Sequence, residues 1–417
     1  MPSGLTESEQ FVNKLCEQSF LKLWTHPNPI GKKGKELCDC LVVFQDIILI
    51  ISVKDITYKD TEDQSGWERW TKQAIDKSAK QLHGAQRWLE EQNEFTRSDG
   101  RVVRLPLRTK RRYLRLSVSL GSKGEVPLKW GQLDGRPFVH VYAERSLVPL
   151  FDLLDTVADF TEFLFSVEQL AFHASTIIFN GGDTKDLLAM YLLNGPSFGL
   201  PLLEAGSKPL VMIENDHWDG YVKDGHLEEF MSKRTSSYKW DRFIEVLSTD
   251  LLDGYFFDLI TKETQNDEIV LARMAAENRY YRIELAQALF SLLKTGPNLK
   301  IGARLAVSPK CAYVFMAKSS LDRDERTKEL ALRCMVVASK GVRTEVVGIG
   351  VDPASSLDSG WSADMVYVNE EGLQSIDESI LEGLNDTGYF ANVDWKQFNF
   401  DLKQSDSNSK NNQINVN

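Results

Sequence analysis

At 417 residues the chain exceeds the length that one hydrophobic core usually serves, so two or three domains are expected. A formal charge of −11 excludes a protein that coats nucleic acid over its whole surface, but not one with a local basic groove. Five cysteines, at positions 16, 38, 40, 311 and 334, make no disulfide framework and no paired zinc motif, which together with the absence of a signal pattern or a bilayer-length apolar run predicts a cytoplasmic, non-membrane protein.

In chain order, Thr6 and Glu9 form a capping-box signature ahead of helical apolar spacing, which predicts a helix over about 6–24, ended by Pro27 and Pro29. The Gly-Lys loop from 31 to 35 lacks the glycine spacing of a Walker motif; its lysines read as a solvated loop or one that meets phosphate. Leu41–Phe44 and Ile47–Val53 are almost wholly apolar and predict a hairpin buried on both faces. A turn at Gln45 and Asp46 pairs residues whose numbers sum to 91, which sets Asp39 opposite Ser52 and puts Lys54 on the same sheet face. Residues 66–92 predict an amphipathic helix with Trp70, Ala74, Ser78, Gln81, Ala85 and Trp88 on one stripe. From Arg97 to Arg115 eight basic residues accompany one acid, Asp99, in a β-type segment. Strands over 112–120 and 138–143 then close a first domain.

Thr156 and Asp159 start a helix with a buried stripe from Val157 to Ala171, and helices at about 184–193, 225–234, 239–263 and 268–294 follow. From 300 the texture becomes strand (300–307), strand (312–316), helix (322–339), strand (344–351), strand (365–368) and a short helix. The expected division is 1–150, a mostly helical 151–296, an α/β lobe 297–397 and a disordered tail 398–417, with a joint between Gly195-Pro196 and Pro209. The fold class is therefore α/β of mixed character: an N-terminal mixed sheet flanked by helices, a helical middle section and a C-terminal α/β lobe.

The order acid (Asp39), short hairpin, x-Lys (Lys54), then a helix bearing Gln81 resembles the restriction-endonuclease-like PD-(D/E)XK superfamily, in its RecB-like and NERD-like branches, over roughly residues 7–143. The resemblance implies a metal-dependent nuclease with Mg2+ or Mn2+ as cofactor and nucleic acid, DNA first, as partner. It also suggests a defence or DNA-processing role, with the C-terminal lobes regulating the nuclease or taking a protein partner. By position it implies that Asp39 is a metal ligand, Lys54 the catalytic lysine and Gln81 the helix glutamine near the site. The sequence departs from the pattern at Ser52, where the second acid should stand two residues before the lysine. Glu36 is the first candidate to replace it as catalytic acid and metal ligand, then Glu17, then Asp55; Glu36, three residues from Asp39, reaches the same face only if the chain bends at Leu37 or Cys38.

Lys35, Arg104, Arg108, Arg111 and Arg112 are the candidate phosphate contacts, which would bind without sequence preference. The alternative is a nuclease-like fold that has lost catalysis and serves as a nucleic-acid-binding or protein-interaction module. The six histidines have no metal-ligand spacing, and Gly348-Ile349-Gly350 lacks the third glycine of a dinucleotide site. The helix from 322 reads as a solvated charged face, with a ligand-sensing surface as the alternative.

Overall fold

The computed structural model describes residues 5–59, 65–124, 130–199, 210–252, 262–294, 302–317, 323–352, 363–374, 383–384, 386–399 and 402. Residues 400, 401 and 403–417 of the expected tail, the stretch 200–209 of the expected joint, and 253–261 of an expected helix lie outside them; at the start of that tail Phe398 and Leu402 pack against an apolar core, contrary to the expected disorder. The chain is mixed α/β and divides into two compact units, 1–229 and 230–415, so the helices between residues 144 and 223 belong with the N-terminal sheet. No helix among the described residues is long and apolar enough to cross a membrane.

The first unit is built on a five-stranded mixed sheet. Helix α1 (Glu7–Phe20) precedes strands β1 (Thr25–Pro27), β2 (Cys40–Phe44) and β3 (Ile47–Asp55). A long helical crossover follows: α2 (Ser65–Thr71), a π-helical turn at Lys72–Asp76 and α3 (Lys77–Glu91). A small hairpin of β4 (Glu94–Thr96) and β5 (Val102–Arg104) then leads to β6 (Arg112–Leu120) and β7 (His140–Tyr142). The strand order is β1-β2-β3-β6-β7, with β2 antiparallel to its neighbours and β3, β6 and β7 parallel.

The hairpin register agrees with the sequence: Cys40 pairs with Ile51, Val42 with Leu49 and Phe44 with Ile47. Gln45 takes a positive φ of 53°, so the turn closes in two residues without glycine. Because alternate side chains face opposite ways, Leu41, Val43, Ile48 and Ile50 pack under Ala74, Leu82, Ala85 and Leu89 of the crossover, where each buried Leu, Val or Ile contributes about 1.5–3 kcal/mol. The predicted helical stripe holds: Trp70, Ala74, Ser78 and Ala85 are buried, with Gln81 and Trp88 half-buried at its edges.

Helix α1 has its capping box, but ends at Phe20 rather than 24. Leu21 turns to a φ of 68°, and the Thr25 hydroxyl donates to the Cys16 and Leu21 carbonyls. The unit continues with α4 (Glu144–Leu153), α5 (Val157–His173), β8 (Thr176–Asn180), α6 (Thr184–Asn194), β9 (Leu210–Glu214) and α7 (His217–Lys223); β8 and β9 form a separate parallel pair. Thr156 caps α5 as predicted, its hydroxyl accepting from the Asp159 amide at 3.0 Å.

Helix α8 (His226–Arg234) spans the boundary between the units. The second unit carries α9 (Tyr238–Leu252), α10 (Lys262–Ala275), α11 (Arg279–Lys294), β10 (Gly302–Val307), β11 (Ala312–Ala317), α12 (Arg323–Ser339), β12 (Glu345–Val351), β13 (Ala363–Asn369) and α13 (Glu370–Gln374). Its sheet runs β10-β11-β12-β13, with only β11 and β12 parallel. The single helix expected over 268–294 is two, because Asn278 accepts from the Tyr281 amide and starts a new helix. Gly348, in β12, is a packing residue: a Cβ there would sit 2.5 Å from Cys334 Sγ of α12. The charged face expected on α12 is partly core, since Arg326 is buried against Asp364, and Arg333 pairs with Glu329 and stacks on Tyr389.

Candidate functional site

The end of the first sheet where β3 finishes is polar on the face that α3 covers. Asp39, Ser52, Lys54, Ser117 and Ser119 lie side by side there, set by the pairing of Ser52 with Ser117 and Lys54 with Ser119. Asp39 is 2% exposed, and its Oδ2 accepts from the Val53 amide at 2.6 Å with Lys54 Nζ at 3.8 Å. Ser52 is fully buried and donates to Gln81 Oε1 at 3.1 Å. The serines of β6 continue the polar seam: Ser117 and Ser119 share a hydrogen bond, and Ser119 donates to the Ala74 carbonyl in the π-helical turn, where i→i−4 bonding is interrupted. Ser78, one turn before Gln81, is buried with an unpaired hydroxyl.

Glu36 reaches this place through an irregularity in the β1–β2 hairpin. Beyond the regular strands the two chains stay together, with Asn28 N donating to Asp39 O and Leu37 N to Pro29 O. Paired numbers total 67 at Pro27 and Cys40 but 66 at Ile30 and Glu36. One extra residue is therefore accommodated between Glu36 and Cys40, a β-bulge that reverses the alternation and turns a residue three positions from Asp39 onto the same side.

Glu36 stands at the exposed rim while its carboxyl group hydrogen-bonds the Asp39 side chain. Partial burial, that bond and the charges of Asp39 and Glu9 push the Glu36 carboxyl up to about 7, with Lys54 acting in the opposite direction. Glu36 is therefore the acid whose carboxyl takes up a proton near neutrality.

The other two candidate acids are placed elsewhere. Asp55 alternates to the opposite sheet face, where Ser8 donates to it. Glu17 lies two turns along α1 from the end of the helix that approaches the site. Glu9, which does approach, was hidden in the sequence by its capping role: it accepts from the Thr6 amide at 2.8 Å. Among the described residues no group of three or more His, Cys, Asp or Glu side chains is arranged to hold a metal; the acids in direct contact are Glu36 and Asp39.

The basic run is not gathered at this site. Arg112 pairs with Ile47 at the other end of β3, seven residues from the Lys54–Ser119 pair, or about 23 Å along the strand. Arg111 donates to the carbonyls of Leu89, Gln92 and Pro106, and Arg108 to the Glu91 carbonyl and Asn93, so both close the C-terminal end of α3. Arg112 lies over the Phe165 ring at 3.9 Å and pairs with Asp46. Arg104 is exposed opposite Glu94, and Arg115 is buried, donating to Phe138 O and Gln86 beside Glu168. Of the candidate phosphate contacts, Lys35 is the one beside the acids, on the exposed turn that joins Ile30 to Glu36. No family model matches the chain, and neither a curated protein nor a solved structure matches it.

Proposed function

We propose that the first unit is a metal-dependent phosphodiesterase acting on nucleic acid, with DNA as its substrate. The observation that carries the reading is the Glu36–Asp39 pair: two carboxyl groups in hydrogen-bonding contact, one of them buried, with a lysine beside them. A proton relieves part of the negative charge on such a pair, and a divalent cation relieves more. The donors suit Mg2+ or Mn2+, which take one or two carboxylates and complete their shell with water and substrate phosphate. Asp39 and Glu36 would hold the ion, which when bound supplies an activated water and offsets phosphate charge.

Lys54, 28% exposed in its side chain, offers a cation to the same phosphate. Gln81, held through its carbonyl by Ser52, offers its amide NH2. The resemblance of this order of residues to the PD-(D/E)XK pattern supports the reading, with Glu36 taking the place that Ser52 leaves vacant.

Supercoiled plasmid and single-stranded circular DNA incubated with the full chain and Mg2+ or Mn2+ test it. Cutting is expected, suppressed by EDTA and abolished in both Asp39→Ala and Lys54→Ala; cutting that survives both substitutions would sink the proposed site. Ser52 favours a second reading, since a neutral hydroxyl is a weak ligand: a catalytically silent module that binds nucleic acid. Salt-dependent DNA binding with no cutting under any metal would select it.

A further inference from the structure

Positive charge at the polar end of the sheet is concentrated on the turn from Gly31 to Lys35, in which Lys32, Lys33 and Lys35 are all exposed. We propose that this turn is a phosphate clamp, with the three lysines holding the backbone of a nucleic-acid strand beside Asp39. The proposal rests on the nucleic-acid reading of the preceding subsection and assigns the binding surface that the arginine run does not provide.

The first argument is position. The turn is the tip of the hairpin that extends β1 and β2 past Cys40, and Lys35 is four residues from Asp39, which bounds their Cα separation at about 14 Å.

The second argument is preorganisation. Gly31 N donates to Lys35 O at 2.7 Å, Ile30 N to Thr96 O at 2.8 Å and Leu37 N to Pro29 O at 2.8 Å, so the tip is tied across its own base and to β4. Gly31 leaves room for Leu37, whose Cβ would lie 3.2 Å from a side chain there. Lys33 has a φ of 58° and Gly34 a φ of 73°. The left-handed region suits glycine or asparagine, so the turn holds Lys33 in it at a backbone cost.

The third argument is charge. Among the described residues no acid pairs with Lys32, Lys33 or Lys35, in a chain whose formal charge is −11. The neighbouring arginines are engaged: Arg97 and Arg101 pair with Asp99, Arg108 and Arg111 close α3, and Arg112 lies on Phe165. Exposed lysines are compact point charges that match a phosphate backbone without reading its sequence.

The test is binding by the full chain in EDTA, where no metal-dependent cutting intervenes, to fluorescent single-stranded and duplex oligonucleotides over a range of salt concentrations. The slope of log affinity against log salt falls by about 0.9 for each duplex phosphate that the protein no longer neutralises. The variant Lys32→Gln/Lys33→Asn/Lys35→Gln is expected to lower that slope by about 2–3, while Lys110→Gln/Arg112→Gln, at the far end of the sheet, leaves it unchanged. An unchanged slope in the lysine variant, an equal fall in the far-end variant, or wild-type binding to anionic lipid vesicles but to neither oligonucleotide would overturn the clamp. The outcome is separate from the cleavage test: metal-dependent cutting abolished in Asp39→Ala, with a lysine variant that binds like wild type, removes the clamp and leaves the phosphodiesterase.

Discussion

In the second unit Asp364, 3% exposed, lies between the guanidinium groups of Arg323 and Arg326, and Asp241 receives Arg279 at 2.7 Å and Arg282 at 2.5 Å. In the first unit Asp39, 2% exposed, has one lysine at 3.8 Å and a second carboxyl group in contact with it. Asp39 and Asp364 are equally buried; their compensation differs. A carboxylate enclosed by arginines is neutralised within the fold, and its role is architectural. Two acids sharing one loosely held lysine keep negative charge that the fold leaves unbalanced, which is the arrangement expected of groups that act on something from outside.

Substitutions can break or sharpen this contrast. The largest effect is expected from Asp364→Ala, which removes the buried carboxylate paired with Arg326, itself at 2% side-chain exposure; chemical denaturation should show a loss of about 3–5 kcal/mol. A loss below about 1 kcal/mol would mean that the ion pairs of the second unit are not structural in the sense argued. Next comes Arg111→Ala, which removes three charged hydrogen bonds, two to the end of α3 and one to the Pro106 carbonyl. About 1.5–3 kcal/mol of stability should be lost, with nucleic-acid affinity per folded molecule unchanged; a selective loss of affinity would return this arginine to the binding surface.

Asp39→Asn keeps an acceptor for the Val53 amide and relieves the repulsion with Glu36, so it should cost about 1 kcal/mol or less. Cleavage should nevertheless vanish, the opposite balance to Asp364→Ala.

The smallest effect is a pH dependence. The Glu36 carboxyl titrates near 7 in the folded chain against an ordinary 4.5, so the folded state holds that proton more tightly and its stability falls as pH rises through that interval. Glu36→Gln removes the slope. In EDTA its melting temperature should match that of wild type at pH 4 and exceed it at pH 8; a difference independent of pH would contradict the carboxyl pair.

The sequence made the hairpin legible because two apolar runs around Gln45-Asp46 leave few registers that bury both, and the register brought Asp39, Ser52 and Lys54 together. The helical stripe placed Gln81 for the same reason, periodicity matched to burial. The sequence set the condition for Glu36 to join them, a bend at Leu37 or Cys38, but not that it is met: a bulge is one added residue between strands, and Leu37-Cys38 carries no glycine or other mark of it. Glu9 was concealed because a capping acid and an acid near a site look identical in sequence. The arginine run misled in the other direction, since Arg108 and Arg111 act on carbonyls of a helix end that composition cannot locate. Arg326 read as solvated because its partner, Asp364, is 38 residues away.

The central claim is that Glu36 and Asp39 form one cation site across the bulge. Calorimetric titration of Mn2+ into the full chain at pH 7.5 tests it most directly. One saturable site in the wild type, absent in Asp39→Asn and weakened in Glu36→Gln, is the predicted result; no saturable binding, or binding that both variants retain, would contradict the account.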